Sequence, residues 1–157
     1  MSGQTLLRVA EWSFFILLAA ALLGIGAVAL RRFLLERGGG AVECHLRPCG
    51  GARPAPWRIG LGRYGSERLH WYRVFSLWPR PAAELSRRGL VVVGRRAPGP
   101  EDLTELTEDL AVVGVGWAAE DGSDPEEPAY ELAMGESALT GFLSWLESMP
   151  PGTPWEK

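Results

Sequence analysis

Nineteen consecutive residues from Trp12 to Leu30, WSFFILLAAALLGIGAVAL, carry no charge and a single polar side chain, Ser13. No other feature of the 157-residue chain restricts it more. As an α-helix the run spans roughly 28 Å, close to the ~30 Å hydrocarbon core of a bilayer. Trp12 stands at one end, where an interfacial aromatic belongs, and Arg31 and Arg32 close the other, with Arg37 following. The pattern predicts a membrane span over 12–30 after a short segment, 1–11. The competing reading is a cleavable signal peptide, for which Ala27-Val28-Ala29 offers a small-x-small site. The apolar run is longer than the usual core of about 7–15 residues, and paired arginines directly behind it resist translocation.

Orientation follows from the same arginines. Arg31, Arg32 and Arg37 outweigh Arg8 on the other side of the span. The chain is expected to be a single-pass protein of the cell membrane, and the positive-inside rule then places 31–157 in the cytoplasm. Residues 31–37 are expected to continue the helix into the headgroup zone, and Gly38-Gly39-Gly40 to end it as a hinge.

Composition enters once the span is set aside. The formal net charge is −3 and the mean hydropathy is zero, which excludes a fully disordered chain. Two Cys and two His exclude a disulfide-dense scaffold or a multi-site zinc protein. The small net charge conceals a segregated chain. Residues 31–96 hold fourteen Arg against Glu36, Glu43, Glu67 and Glu84, for +10, whereas 97–157 hold Lys157 and fourteen acids, for −13. Such asymmetry points to a membrane or polyanion facing the basic part, or to mutual neutralisation within one fold. No nucleic-acid partner is expected.

Residues 41–150 form one domain, and 151–157 a tail. Strand patterns dominate. Val42–Arg47 and Trp57–Leu61 are candidates, the latter with Trp57, Ile59 and Leu61 on one face. Arg68–Leu77 is rich in aromatic and β-branched residues. Glu84–Arg87 and Leu90–Arg96 are expected to form a hairpin around Arg88-Gly89, with the apolar run 90–93 buried on both faces. Asp109–Trp117 and Ala129–Met134 follow, separated by an exposed acidic loop. One amphipathic helix closes the domain, with Leu139, Phe142, Leu143 and Leu146 as its stripe, Ser137 as its N-cap and Pro150-Pro151 as its stop. About seven strands followed by a helix suit a bent sheet or open barrel capped at one opening, an order shared with the pleckstrin-homology-like fold.

Five stretches resemble an actinobacterial family: Tyr72–Pro79, Ser86–Gly89, Arg95–Pro98, Tyr130–Ala133 and Ala138–Ser148, the last containing FLSWLES. The family is the domain of unknown function numbered twenty-five-fifty, short single-pass membrane proteins often encoded beside ATP synthase genes. The resemblance covers roughly residues 6–150. It implies a membrane anchor and one small soluble domain, and no reaction.

The remaining motifs carry little chemistry. Gly60-Leu61-Gly62-Arg63-Tyr64-Gly65 fits G-x-G-x-x-G, but it leads into a strand rather than the helix a dinucleotide site needs, so it is expected to be a hairpin turn. Cys44, His45 and Cys49 lack the further ligands of a zinc site, and in a reducing compartment the thiols stay free. No metal, no cofactor and no catalytic group is expected, so the chain is expected not to be an enzyme. The candidate anion-facing residues are Arg31, Arg32, Arg37, Arg87, Arg88, Arg95 and Arg96. The candidate partner-facing acids are Glu120, Asp121, Asp124, Glu126 and Glu127. The functional expectation is a membrane-anchored binding or scaffold domain that contacts anionic headgroups or a membrane protein. The alternative is an accessory or assembly subunit of a membrane complex, with ATP synthase the candidate that the resemblance suggests.

Overall fold

The computed structural model describes residues 3–37 and 40–148. The expected hinge at Gly38-Gly39, the Pro150-Pro151 stop and the 151–157 tail lie outside the described residues. The first helix, α1, runs from Gly3 to Arg37, 35 residues and about 52 Å long. It absorbs the N-terminal segment expected to be separate. Ser13 satisfies its hydroxyl within the helix by donating to the Val9 carbonyl at 2.8 Å, so the apolar run presents no unpaired polar side chain.

Seven strands follow: β1 (Ala41–Pro48), β2 (Arg58–Tyr64), β3 (Arg68–Arg73), β4 (Ala83–Ser86), β5 (Leu90–Arg96), β6 (Ala111–Trp117) and β7 (Tyr130–Met134). All pairings are antiparallel, in the order β4-β3-β2-β1-β7-β6-β5. The two edge strands, β4 and β5, are consecutive in the chain. The sheet therefore curls into a half-barrel that brings its edges together. The Trp117 indole on β6 donates to the Ser86 carbonyl of β4 at 2.9 Å across the gap. The second helix, α2 (Glu136–Glu147), closes one opening. Its Leu139 and Phe142 are buried against Trp71, Leu85, Val113 and Leu132 in the main core.

β1, β3 and β6 run one way and β2, β4, β5 and β7 the other. The curl of the sheet nonetheless brings the end of β6 to the β4–β5 connection, where the Ala118 amide donates to the Gly89 carbonyl at 2.8 Å and the Arg87 amide to the Glu67 carbonyl of the β2–β3 turn at 2.9 Å. β1 begins at the α2 end, yet Arg31 of α1 reaches the β3–β4 connection by donating to the Arg73 and Trp78 carbonyls. The last turns of α1 thus run back alongside the sheet, and the apolar run departs past the β3–β4 connection.

Five expectations are corrected. The strand expected over Arg68–Leu77 ends at Arg73, and 74–77 belong to the β3–β4 connection. β4 and β5 form no hairpin: each is an edge, and Gly89 at φ +72° turns the chain from one edge to the other. The run 90–93 is not buried on both faces. β5 has only one neighbour, β6, and Val92 remains 39% exposed. Gly60 and Gly62 lie within β2, and only Gly65 makes the turn, its amide donating to the Arg68 carbonyl at 2.8 Å. Gly60 is required there because an added Cβ would lie 2.3 Å from the Trp71 ring. Finally, α2 starts two residues earlier than Ser137 as N-cap implies. Gly135, extended at φ −67° and ψ 162°, is the N-cap, and its carbonyl accepts from the Leu139 amide at 2.9 Å.

Candidate functional site

The arginines singled out by sequence occupy three separate settings. Arg31, Arg32 and Arg37 sit on the last turns of α1. Arg31 spends its guanidinium on two backbone carbonyls, each at 2.9 Å, and Arg37 stacks over Phe33 with its central carbon 4.5 Å from the ring centre. Arg32 is exposed on the position between them. The β4–β5 connection holds Arg87 and Arg88. Arg87 reaches the Ser66 carbonyl, the Leu146 carbonyl and the Ser148 hydroxyl, and lies 5.5 Å over the Trp145 ring. It serves as the cation at the C-terminus of α2, where carbonyls lack intrahelical partners. Arg88 is exposed.

The third setting is the end of β5, away from Arg87 and Arg88. Arg95 points to Glu136 at 3.8 Å, both side chains largely in water, a geometry worth little. Arg96 instead belongs to a closed ion cluster. It pairs with Asp102 and, at 3.1 Å, with Glu131. Arg47 pairs with the same two acids, at 3.0 Å and 2.6 Å. Asp102 has no side-chain exposure and also accepts from the Trp57 indole at 3.0 Å and the Gly99 amide at 2.9 Å. The Arg47 guanidinium lies 4.5 Å over the Trp57 ring. Burial pushes the Asp102 carboxyl up, but the bonds from Arg96, Trp57 and Gly99 outweigh it and hold the carboxyl at about 2. Both carboxylate oxygens of Asp102 are occupied, so the cluster fastens β1, β5, β7 and the 3₁₀ turn Asp102–Thr104 to one another; it is not an open ligand site.

Sequence reasoning missed Arg47, Asp102 and Glu131 as a unit. They lie 29 to 84 positions apart, and only the β1–β7 and β5–β6–β7 pairings bring them together. The visible signal was the segregated charge. Arg47, Arg95 and Arg96 of the basic segment do meet Asp102, Glu131 and Glu136 of the acidic one.

The acidic loop is the β6–β7 connection. Glu120, Asp121, Asp124, Glu126 and Glu127 are all exposed. Its course is set by its prolines. Pro128 and Pro125 pack on Gly114 and Gly116 of β6, where added Cβ atoms would lie 3.0 Å and 2.8 Å away. Within the loop, Asp121 accepts from the Ser123 hydroxyl and amide at 2.6 Å and 2.9 Å, which hold its carboxyl below the ordinary range.

Cys44 is buried, and burial pushes its thiol up to about 12; burial also raises Cys49. Both are free. Five residues of extended chain separate their Cα atoms by roughly 16 Å, beyond the ~7 Å limit of a disulfide. An open cleft of about 660 Å³ lies at the α2 end, lined in part by Glu43, His45, Asp109 and Ser137. Among the described residues, no hydrogen bond joins its carboxylates to His45.

These features define a class: a curled antiparallel half-barrel, closed by one helix and led by a helix long and apolar enough to cross a membrane. Residues 17–152 match the family described as a protein of unknown function, DUF2550, and the chain belongs to that family. It is 37% identical over 130 residues to an uncharacterized protein of Mycobacterium tuberculosis, a match covering 82% of this chain and 84% of the other. An uncharacterized protein of Mycobacterium leprae is 36% identical over 124 residues, covering 79% and 80%.

Proposed function

We propose that the chain is a single-pass membrane protein whose half-barrel is a non-enzymatic binding domain, held at the cytoplasmic face of the cell membrane and contacting anionic lipid headgroups. The observation that carries this reading is the Arg31 contact. The first residue after the apolar run bonds the domain at two backbone carbonyls, so the domain is joined to the end of the span by more than the chain itself. Arg32 and Arg37 lie on the same turns of α1, where each basic residue near an anionic surface contributes about 1 kcal/mol. Because α1 already tethers the domain, such contacts orient it rather than recruit it.

Two measurements on the full-length protein test this. After alkaline washing of membranes the protein should stay in the pellet, and release into the supernatant would overturn the anchor. In reconstituted vesicles, amide exchange over 31–37 should slow when neutral lipid is replaced by anionic lipid, and the effect should disappear at high salt. Equal exchange in both lipids would remove the headgroup role. The exposed β6–β7 acids favour a second reading, an accessory or assembly subunit that offers this loop to a basic partner in a membrane complex. Recovery from mild detergent without a stoichiometric partner would argue against it.

A further inference from the structure

Outside α1, the three most exposed large apolar side chains among the described residues belong to one short stretch: Phe75 at 82%, Leu77 at 65% and Trp78 at 66%. All three sit in the β3–β4 connection, and no element of the fold covers them. A concentrated apolar patch of this kind marks a contact surface. We propose that this connection dips into the headgroup–acyl boundary of the leaflet from which α1 emerges, giving the domain a second, non-covalent membrane contact. The proposal rests on reading α1 as a membrane span.

Four observations choose a bilayer as the occupant. Arg31, directly behind the apolar run, donates to the Arg73 and Trp78 carbonyls, which bracket the patch. That contact holds the connection at the level where the span ends. Exposed Arg73 and Arg80 flank the three apolar residues, and no acid lies between them. An apolar tip with a cationic collar suits the boundary between acyl chains and phosphates. Trp78 is a residue type enriched at that depth. The tip also pairs part of its own backbone: the Trp78 amide donates to the Ser76 hydroxyl at 3.2 Å and its carbonyl accepts from Arg31. Prior pairing of backbone groups lowers the cost of entering a poorly hydrated zone.

The test uses the full-length protein with Cys49 changed to Ser, since Cys44 is buried. Single cysteines are introduced as Phe75→Cys, Leu18→Cys in the apolar run and Glu108→Cys at the α2 end, and each is labelled with an environment-sensitive fluorophore. The proteins are reconstituted in vesicles of phosphatidylcholine and phosphatidylglycerol that carry nitroxide lipids, either near the headgroup or deep in the acyl chain. The Leu18 label should be quenched by the deep nitroxide. The Phe75 label should be quenched by the shallow one, at a depth of about 5–10 Å, and the Glu108 label by neither. Adding Leu77→Ser and Trp78→Ser should abolish quenching at position 75; unchanged quenching would show that the probe inserts by itself and would overturn the proposal. Deep quenching at Leu18 with none at Phe75 would overturn the loop contact and leave the anchor standing. No quenching at Leu18 would overturn both. Protection of the Phe75 label in native membranes but not in pure lipid vesicles would assign the patch to a protein and overturn the lipid assignment.

Discussion

Two residues show how closely the domain is fitted. Gly60 is a strand glycine because the Trp71 indole, which donates to the Cys44 carbonyl at 2.9 Å, fills the space a side chain would need. Gly60→Ala should cost about 1–3 kcal/mol through overpacking, read as a lower Tm; an unchanged Tm would mean the ring can move aside. Asp102 is held at about 2 against an ordinary 3.8. A carboxyl depressed in the folded state stabilises the fold above its unfolded pKa, and that contribution disappears as pH falls from about 4 to 2, amounting to about 2 kcal/mol. Asp102→Asn should flatten the acid limb of a stability–pH curve over that window. A parallel loss in both proteins would assign acid sensitivity to other carboxylates.

Elements were legible where one strand or helix carries its own pattern. The 139–146 stripe located α2, and the Val113/Val115 alternation located β6, because those faces meet the core. Alternation of Trp57, Ile59 and Leu61 located β2 for another reason: Trp57 precedes the strand, Ile59 is 44% exposed, and Gly60 and Gly62 face Trp71 and Leu69. Pairing was less legible, since it depends on which edges a curled sheet brings together. That is why the run 90–93 suggested a strand buried on both faces although β5 is an edge. The G-x-G-x-x-G stretch misled in the same way: its glycines answer to Trp71 and to the side chains of Leu69 and Val42, which are close only after folding. The β6 glycines carry a prediction at this scale. Gly116→Ala places a methyl 2.8 Å from Pro125 and should lift the acidic loop off β6. Amide exchange over 118–129 should then accelerate while β1–β3 stay protected; unchanged loop exchange would show that the prolines do not hold it.

For the whole molecule, the question of +10 against −13 receives a divided answer. Arg47 and Arg96 meet Asp102 and Glu131 inside the fold, while the β6–β7 acids and the arginines of α1 remain at the surface. The exposed acids provide a handle on orientation. In a Cys49→Ser background, Glu126→Cys should resist a membrane-impermeant thiol reagent in intact cells and react after permeabilisation. Reaction in intact cells would place the domain outside.

The charge of two exposed loops has a mechanical consequence. The apolar β3–β4 tip carries Arg73 and Arg80; the β6–β7 loop carries five acids. Under the proposed contact with an anionic leaflet, the first side would be drawn in and the second pushed away, so the surface field would exert a torque on the domain. Arg31 supplies the pivot, since it joins the helix to the attracted side. The half-barrel would then rest rolled about α1, with a wedge of water opening under its acidic lip.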